Sequence, residues 1–108
     1  MAIGSFKNAK VSGATTTGTS LYTVPSGKES VVHSIYVTNR YNLEDLYVNI
    51  TISDGVDEFY VAYLYPVQAN LGATWERPIN LQADEVLKVT ASRADSIDVV
   101  ASVLEFTP

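Results

Sequence analysis

Leu46-Tyr-Val-Asn-Ile-Thr-Ile-Ser-Asp-Gly-Val-Asp-Glu-Phe-Tyr-Val-Ala-Tyr-Leu-Tyr65 is the stretch whose reading decides the fold. Leu46, Val48, Ile50 and Ile52 alternate with Tyr47, Asn49, Thr51 and Ser53, a period of two that marks a strand with one buried face. Asp54-Gly55 follows, a dipeptide that readily takes positive φ in a tight turn. The return segment Asp57–Tyr65 is again β-branched and aromatic. A turn centred on Asp54-Gly55 would set Ile50 opposite Phe59, Val48 opposite Val61 and Leu46 opposite Tyr63, so that both strands bury one face. The sequence therefore predicts an antiparallel hairpin.

Bulk composition narrows the rest. The chain has 108 residues, enough for one domain that buries roughly 65% of its unfolded surface. Hydrophobic residues make up 46% of it, enough to fill a core without staples. Cysteine is absent, which removes disulfides, thiolate metal sites and Cys nucleophiles. Net charge is −5, and the seven bases (Lys7, Lys10, Lys28, Arg40, Arg77, Lys88, Arg93) are scattered rather than striped, which argues against nucleic-acid binding. Met1–Lys7 lacks an apolar stretch of signal-peptide length. No run approaches the roughly 18 apolar residues of a membrane span. These features predict a soluble protein made in a cytoplasm, with no membrane partner.

Working outward from the hairpin, residues 1–20 read as an N-terminal arm and a Gly/Thr-rich loop (Ser12–Ser20), and 21–108 as a β-domain. Phe6 and Val11 could make the arm an edge strand of its own sheet; the arm could also add a strand to a neighbour. Leu21–Val24 is a short strand stopped by Pro25-Ser-Gly27. Glu29–Arg40 is a long one, with Val31, His33, Ile35 and Val37 on one face and Val32, Ser34, Tyr36 and Thr38 on the other. Thr74–Asn80 carries Trp75 and contains Pro78, which lacks an N–H and so marks an edge or a bend. Val86–Ala91 and Ile97–Phe106 follow the turns at Ala83-Asp84 and Arg93–Ser96, and Ile97, Val99, Ala101 and Val103 form an inner row. About eight strands at turn intervals of about ten residues, without helical periodicity, predict an all-β antiparallel sandwich. Jelly-roll-like is the first reading and Ig-like the alternative.

Candidate chemistry is sparse. His33 is the single histidine; its place among Val31, Ile35 and Val37 predicts a buried structural residue. No Gly-x-Ser-x-Gly is present. Gly27-Lys28 fails as a phosphate-binding loop, with Tyr22 and Glu29 where glycine and Ser/Thr are required. Asp54, Asp57 and Glu58 read as a solvated turn rather than a calcium loop. The sequence therefore predicts no enzyme activity, cofactor or metal. Seven tyrosines and one tryptophan stand out for this length. Tyr47 and Tyr60 face away from the Ile50 row. They would serve an interface or sugar stacking if that face meets solvent, and the core if a second sheet covers it. Phe6, Tyr36, Tyr47, Tyr60 and Trp75 are the candidate interface residues.

Gly18-Thr-Ser-Leu-Tyr-Thr-Val-Pro-Ser-Gly-Lys28 resembles a segment of small virion proteins of tailed bacteriophages. In these a Thr/Gly-rich lead precedes Leu-Tyr-Thr-Val-Pro-x-Gly-Lys and a long apolar strand ending in Asn, as Val31–Asn39 does here. Leu81-Gln-Ala-Asp-Glu-Val-Leu-Lys-Val89 is similar to their closing Leu-x-x-x-Asp-x-Leu-x-Val, with Glu85 in the aspartate position. The resemblance spans about residues 15–106 and brings no catalytic residue with it. It implies a structural virion component, assembled in the host cytoplasm. First among the kinds is a capsid decoration (cement) protein that forms a homo-oligomer, such as a trimer, on the major capsid protein. The alternative is a tail, neck or fibre component that binds glycans through Trp75 and tyrosines.

Overall fold

The computed structural model describes residues 4–108, so Met1–Ile3 of the N-terminal arm lie outside the described residues. It contains nine strands and, among the described residues, no helix. They are β1 (Gly4–Val11), β2 (Thr19–Thr23), β3 (Glu29–Asn39), β4 (Leu46–Ser53), β5 (Glu58–Val67), β6 (Gly72–Trp75), β7 (Ile79–Leu81), β8 (Val86–Ala91) and β9 (Ile97–Phe106). One sheet runs β1-β9-β3-β6, with β7 on the same edge of β3 as β6; the other runs β2-β8-β4-β5.

That order is a rolled ribbon. The antiparallel pairs β4·β5, β3·β6, β2·β8 and β1·β9 nest outward from the central hairpin and alternate between the two sheets. This is the jelly-roll arrangement, and the Ig-like alternative falls with it. Leu46–Tyr65 is the tip about which the ribbon rolls. The core lies between the sheets, where Val32, Ile35 and Val37 of β3 and Ile97, Val99, Ala101 and Val103 of β9 meet Leu46, Val48 and Ile50 of β4 and Leu87 and Val89 of β8. Each large aliphatic side chain buried there contributes roughly 1.5–3 kcal/mol.

Three local features depart from simple alternation. In the hairpin, the Asp54 carboxylate accepts the N–H groups of Val56 (2.9 Å) and Asp57 (2.8 Å). Those two bonds hold the Asp54 carboxyl below its ordinary range and lengthen the connection to Asp54–Asp57. Ser53 therefore pairs with Glu58 and Ile52 with Phe59. Irregularities between Val48 and Thr51 shift the register further, giving Ile50–Ala62, Val48–Tyr65 and Leu46–Val67 in place of the expected partners. One extra residue falls at Val61 and another at Tyr63-Leu64, where Leu64 sits at φ 54° and its N–H donates to Asn49 Oδ1 at 2.7 Å. Phe59 and Tyr63 consequently lie exposed, and Ala62 and Val67 take the core positions.

The second departure is a bulge between Val32 and Ser34 of β3. The inserted residue is His33, which is exposed, contrary to the expectation of burial. Beyond it the inward parity continues through Ile35, Val37 and Asn39. Third, Pro78 splits the predicted 74–80 strand into β6 and β7, both on the edge of the sheet, where a missing N–H costs nothing.

Gly55 sits at φ 97° with no atom within 4 Å of where a Cβ would stand. A Gly55→Val substitution therefore meets backbone strain alone and is expected to lower stability by about 1–2 kcal/mol in denaturant titrations. An unchanged midpoint would show that the turn relaxes to negative φ.

Candidate interaction surfaces

The described residues assemble no catalytic grouping. His33 has no hydrogen-bond or ion-pair partner among them, and no three His, Asp or Glu side chains converge as metal ligands. The titratable groups that are displaced belong to structural contacts. Glu105, 3% exposed, ends the inner row of β9. Its Oε2 accepts the Tyr22 hydroxyl at 2.5 Å, and its Oε1 pairs with Lys7 Nζ at 3.1 Å. Ser30 Oγ lies 2.7 Å from the Tyr22 oxygen. With the Tyr22 proton committed to Glu105, the Ser30 hydroxyl is the donor in that contact. The Tyr22 hydroxyl, followed by Lys7, holds the Glu105 carboxyl below its usual value, against a burial that alone would raise it. Burial, followed by the Glu105 hydrogen bond, pushes Tyr22 up to about 12. The four residues come from β1, β2, β3 and β9 and tie the two sheets together at one margin. Sequence reading missed this cluster because its members are distant in the chain and each looks ordinary alone.

The five candidate interface residues divide among three places. Phe6 and Tyr36 lie on the outer face of the β1-β9-β3-β6 sheet. Register sets Phe6 beside Leu104, Leu104 beside Val31, and Val100 beside Tyr36, with Phe106 next along β9. Phe6 is 81% exposed and Tyr36 is also exposed, and Val31, Val100, Leu104 and Phe106 are half-buried. Phe6, Leu104 and Val31 form an apolar row across three adjacent strands, Val100 and Tyr36 form a second pair beyond Ser102 and Asn8, and no described residue packs over them. A simple period of two does not reveal this row, because the bulge at His33 reverses the parity of β3 and turns Val31 outward.

Tyr47 and Tyr60 lie exposed on the outer face of the other sheet, so no second layer covers them in the single chain. Towards β8 that face is polar. Asn49 pairs with Thr90, and Thr51 stands between Lys88 and Tyr60. Thr51, Glu58 and Tyr60 of the hairpin, Lys88 and Thr90 of β8, and Thr17-Gly18 of the loop before β2 line a cleft of about 210 Å³. Tyr63 packs edge-on against Tyr60, with ring centres 5.0 Å apart and planes at 86°.

Trp75 belongs to neither face. It closes the side seam between the sheets, meeting Tyr65 at 5.7 Å and 82°, with the Arg77 guanidinium 5.8 Å from its ring centre. Its indole N–H is buried without a partner among the described residues. The Tyr65 hydroxyl donates to the Thr74 carbonyl at 2.9 Å, which fastens β5 to β6 across the seam.

No family model and no curated protein matches the sequence. Among solved structures, the chain is similar to one in the acid-stable capsid structure of Helicobacter pylori bacteriophage KHP30. The identity is 15% and the TM-score 0.61, over 100% of this chain and 93% of that one. A chain of Bacillus endospore appendages, described as disulfide-linked pili, gives 13% identity and a TM-score of 0.61 over 98% of this chain and 88% of that one. VP2 of the infectious bursal disease virus subviral particle gives 10% and 0.58, over 97% of this chain but 32% of that one. At such identities the likeness is one of fold: this chain shares a jelly-roll-like sandwich with phage and viral capsid proteins.

Proposed function

We propose that this chain is a structural protein of a phage particle, and within it a head decoration (cement) protein that associates with copies of itself and with the major capsid protein. The observation that carries the reading is the apolar row Phe6–Leu104–Val31, left open by the described residues, with Phe106 next along β9 and the Val100–Tyr36 pair beyond Ser102. A monomer gains nothing from keeping such a row in water, and exposed apolar rows rimmed by polar residues mark association surfaces. The jelly-roll-like fold shared with capsid proteins and the resemblance at Gly18–Lys28 support the same reading. The pilus-like alternative in its disulfide-linked form has no support here, because the chain has no cysteine. The acidic balance suits a basic patch on a shell protein, so attachment should weaken with added salt.

The test is a double substitution on exposed positions of this face, Phe6→Lys with Tyr36→Lys. Light scattering is expected to show the intact protein as an oligomer and the variant as a monomer whose circular dichroism spectrum is unchanged. The intact protein should sediment with particles lacking it, and the variant should stay in the supernatant. An intact protein that is monomeric and never sediments with particles would remove the structural reading.

A further inference from the structure

We infer that the cleft on the outer face of the β2-β8-β4-β5 sheet is a binding site for a neutral saccharide, with Tyr60 as the stacking ring. This does not rest on the virion reading, since the cleft and the apolar row lie on opposite outer faces of the sandwich. It differs also from a Trp75-centred sugar site, because Trp75 is committed to the side seam.

Three properties of the cleft point to a sugar. The first is the ring. Tyr60 is 62% exposed and lines the cleft, and its contact with Tyr63 holds it in place without covering it. An exposed, braced aromatic ring offers a surface on which the C–H face of a pyranose can stack. The second is the mixture of polar groups beside that ring. The Asn49 carbonyl oxygen is taken by the Leu64 N–H, and its amide nitrogen has no partner among the described residues. Thr51 donates to Glu58 Oε1 at 3.0 Å, and Oε2 of that carboxylate has no partner among them either. Lys88 and Thr90 add an ammonium and a hydroxyl. Donors and acceptors interspersed within one small cleft match vicinal hydroxyls, each of which both gives and takes a hydrogen bond. One carboxylate and one ammonium leave the site close to neutral, which disfavours an anionic sugar.

The third property is rigidity of the far wall. Thr15 accepts the Gly18 N–H at 3.1 Å through its hydroxyl, its own N–H donates to Thr19 Oγ1 at 3.0 Å, and Thr17 Oγ1 reaches it at 3.5 Å. Gly18 is at φ 110°, and a Cβ there would stand 3.5 Å from Thr90 Oγ1. The Thr/Gly-rich loop is thus folded on itself before any ligand arrives, so little ordering remains to be done on binding. The same loop that reads as featureless in the sequence forms one side of the site.

Saturation-transfer difference NMR on the full chain tests this, with methyl α-D-glucopyranoside, methyl β-D-galactopyranoside and methyl N-acetyl-β-D-glucosaminide as probes. At least one neutral glycoside is expected to give saturable transfer, and N-acetylneuraminic acid none. Tyr60→Ala should weaken the binding by about tenfold or more, and Tyr60→Phe should retain it. Lys88→Ala should weaken it several-fold, which keeps the test decisive if Tyr60→Ala does not fold. The Phe6→Lys/Tyr36→Lys variant should keep its sugar signal while losing shell attachment, so the two proposals fail separately. No saturable transfer from any neutral probe, transfer from the anionic sugar alone, or signals unmoved by both Tyr60→Ala and Lys88→Ala would overturn the site.

Discussion

Replacing Asn39 with alanine is expected to remove about 3 kcal/mol of stability, a large part of the 5–15 kcal/mol typical of a domain. Asn39 is fully buried at the end of β3. Its amide donates to the Val67 carbonyl at 3.1 Å and the Glu44 carbonyl at 3.2 Å, and its carbonyl accepts the Tyr41 N–H at 2.8 Å. One side chain thus satisfies three backbone groups where the chain leaves β3 and where β5 ends. Alanine would leave all three without a partner, at roughly 1 kcal/mol or more each. Asn39→Asp should be at least as damaging, because a carboxylate cannot donate to two carbonyls and would be a buried charge. Urea unfolding measures both. A loss below about 1 kcal/mol for alanine would mean that water enters and replaces the amide.

The second large effect concerns the Tyr22–Glu105–Lys7 contact. Tyr22→Phe should cost about 2 kcal/mol near neutral pH, since it removes a hydrogen bond to a buried charge. The effect depends on pH in a definite direction. Glu105 titrates below its unfolded value, so its contribution is complete above about 4.5 and fades as pH falls through the lower folded value. Tyr22 titrates above its unfolded value of 10.0, so its contribution is complete below that and fades as pH rises towards about 12. The intact protein should therefore hold a plateau from mildly acidic to mildly alkaline pH. In Tyr22→Phe the alkaline decline from this residue disappears, and the acid decline from Glu105 becomes smaller, because without the chief cause of its depression its folded value moves back towards the unfolded one. Melting temperatures across the pH range check this; parallel curves for the two proteins would show that the cluster contributes nothing.

How far the sequence could be read follows from what breaks a period of two. β8 and β9 appear at the residues expected for them, because Val86–Ala91 and Ile97–Phe106 keep strict alternation between clear turns. The Asp54-Gly55 turn was legible from its dipeptide, and Pro78 foretold the split of β6 from β7. The hairpin register was not legible. It depends on the Asp54 side chain capping two N–H groups and on Leu64 taking up slack at positive φ, neither of which alternation can express. One inserted residue at His33 reversed the assignment of the first part of β3, hiding both the exposed histidine and the apolar row through Val31. Tyr47 and Tyr60 were rightly grouped on one face, but whether that face was covered depended on sheet order. Trp75, a candidate interface residue by its type, packs against Tyr65 in the seam, a place set by the pairing of β6 with β3 that alternation cannot express.

The order β1-β9-β3 places the last strand between the first and the third, with Gly4 paired to Phe106 and Asn39 to Ile97. A ribosome makes β9 after every other strand. Until it emerges, β1 has no strand to pair with and β3 keeps one side unpaired, while the β4·β5 and β4·β8 ladders can already close. The growing chain thus passes through a half-built state whose open strand edges offer the same hydrogen bonds to any neighbouring nascent copy. Such distant pairing also slows closure once synthesis has passed β9, because the ends of almost the whole chain must first find each other. Yield in an expression host should then depend more on temperature and synthesis rate than on the stability of the finished protein.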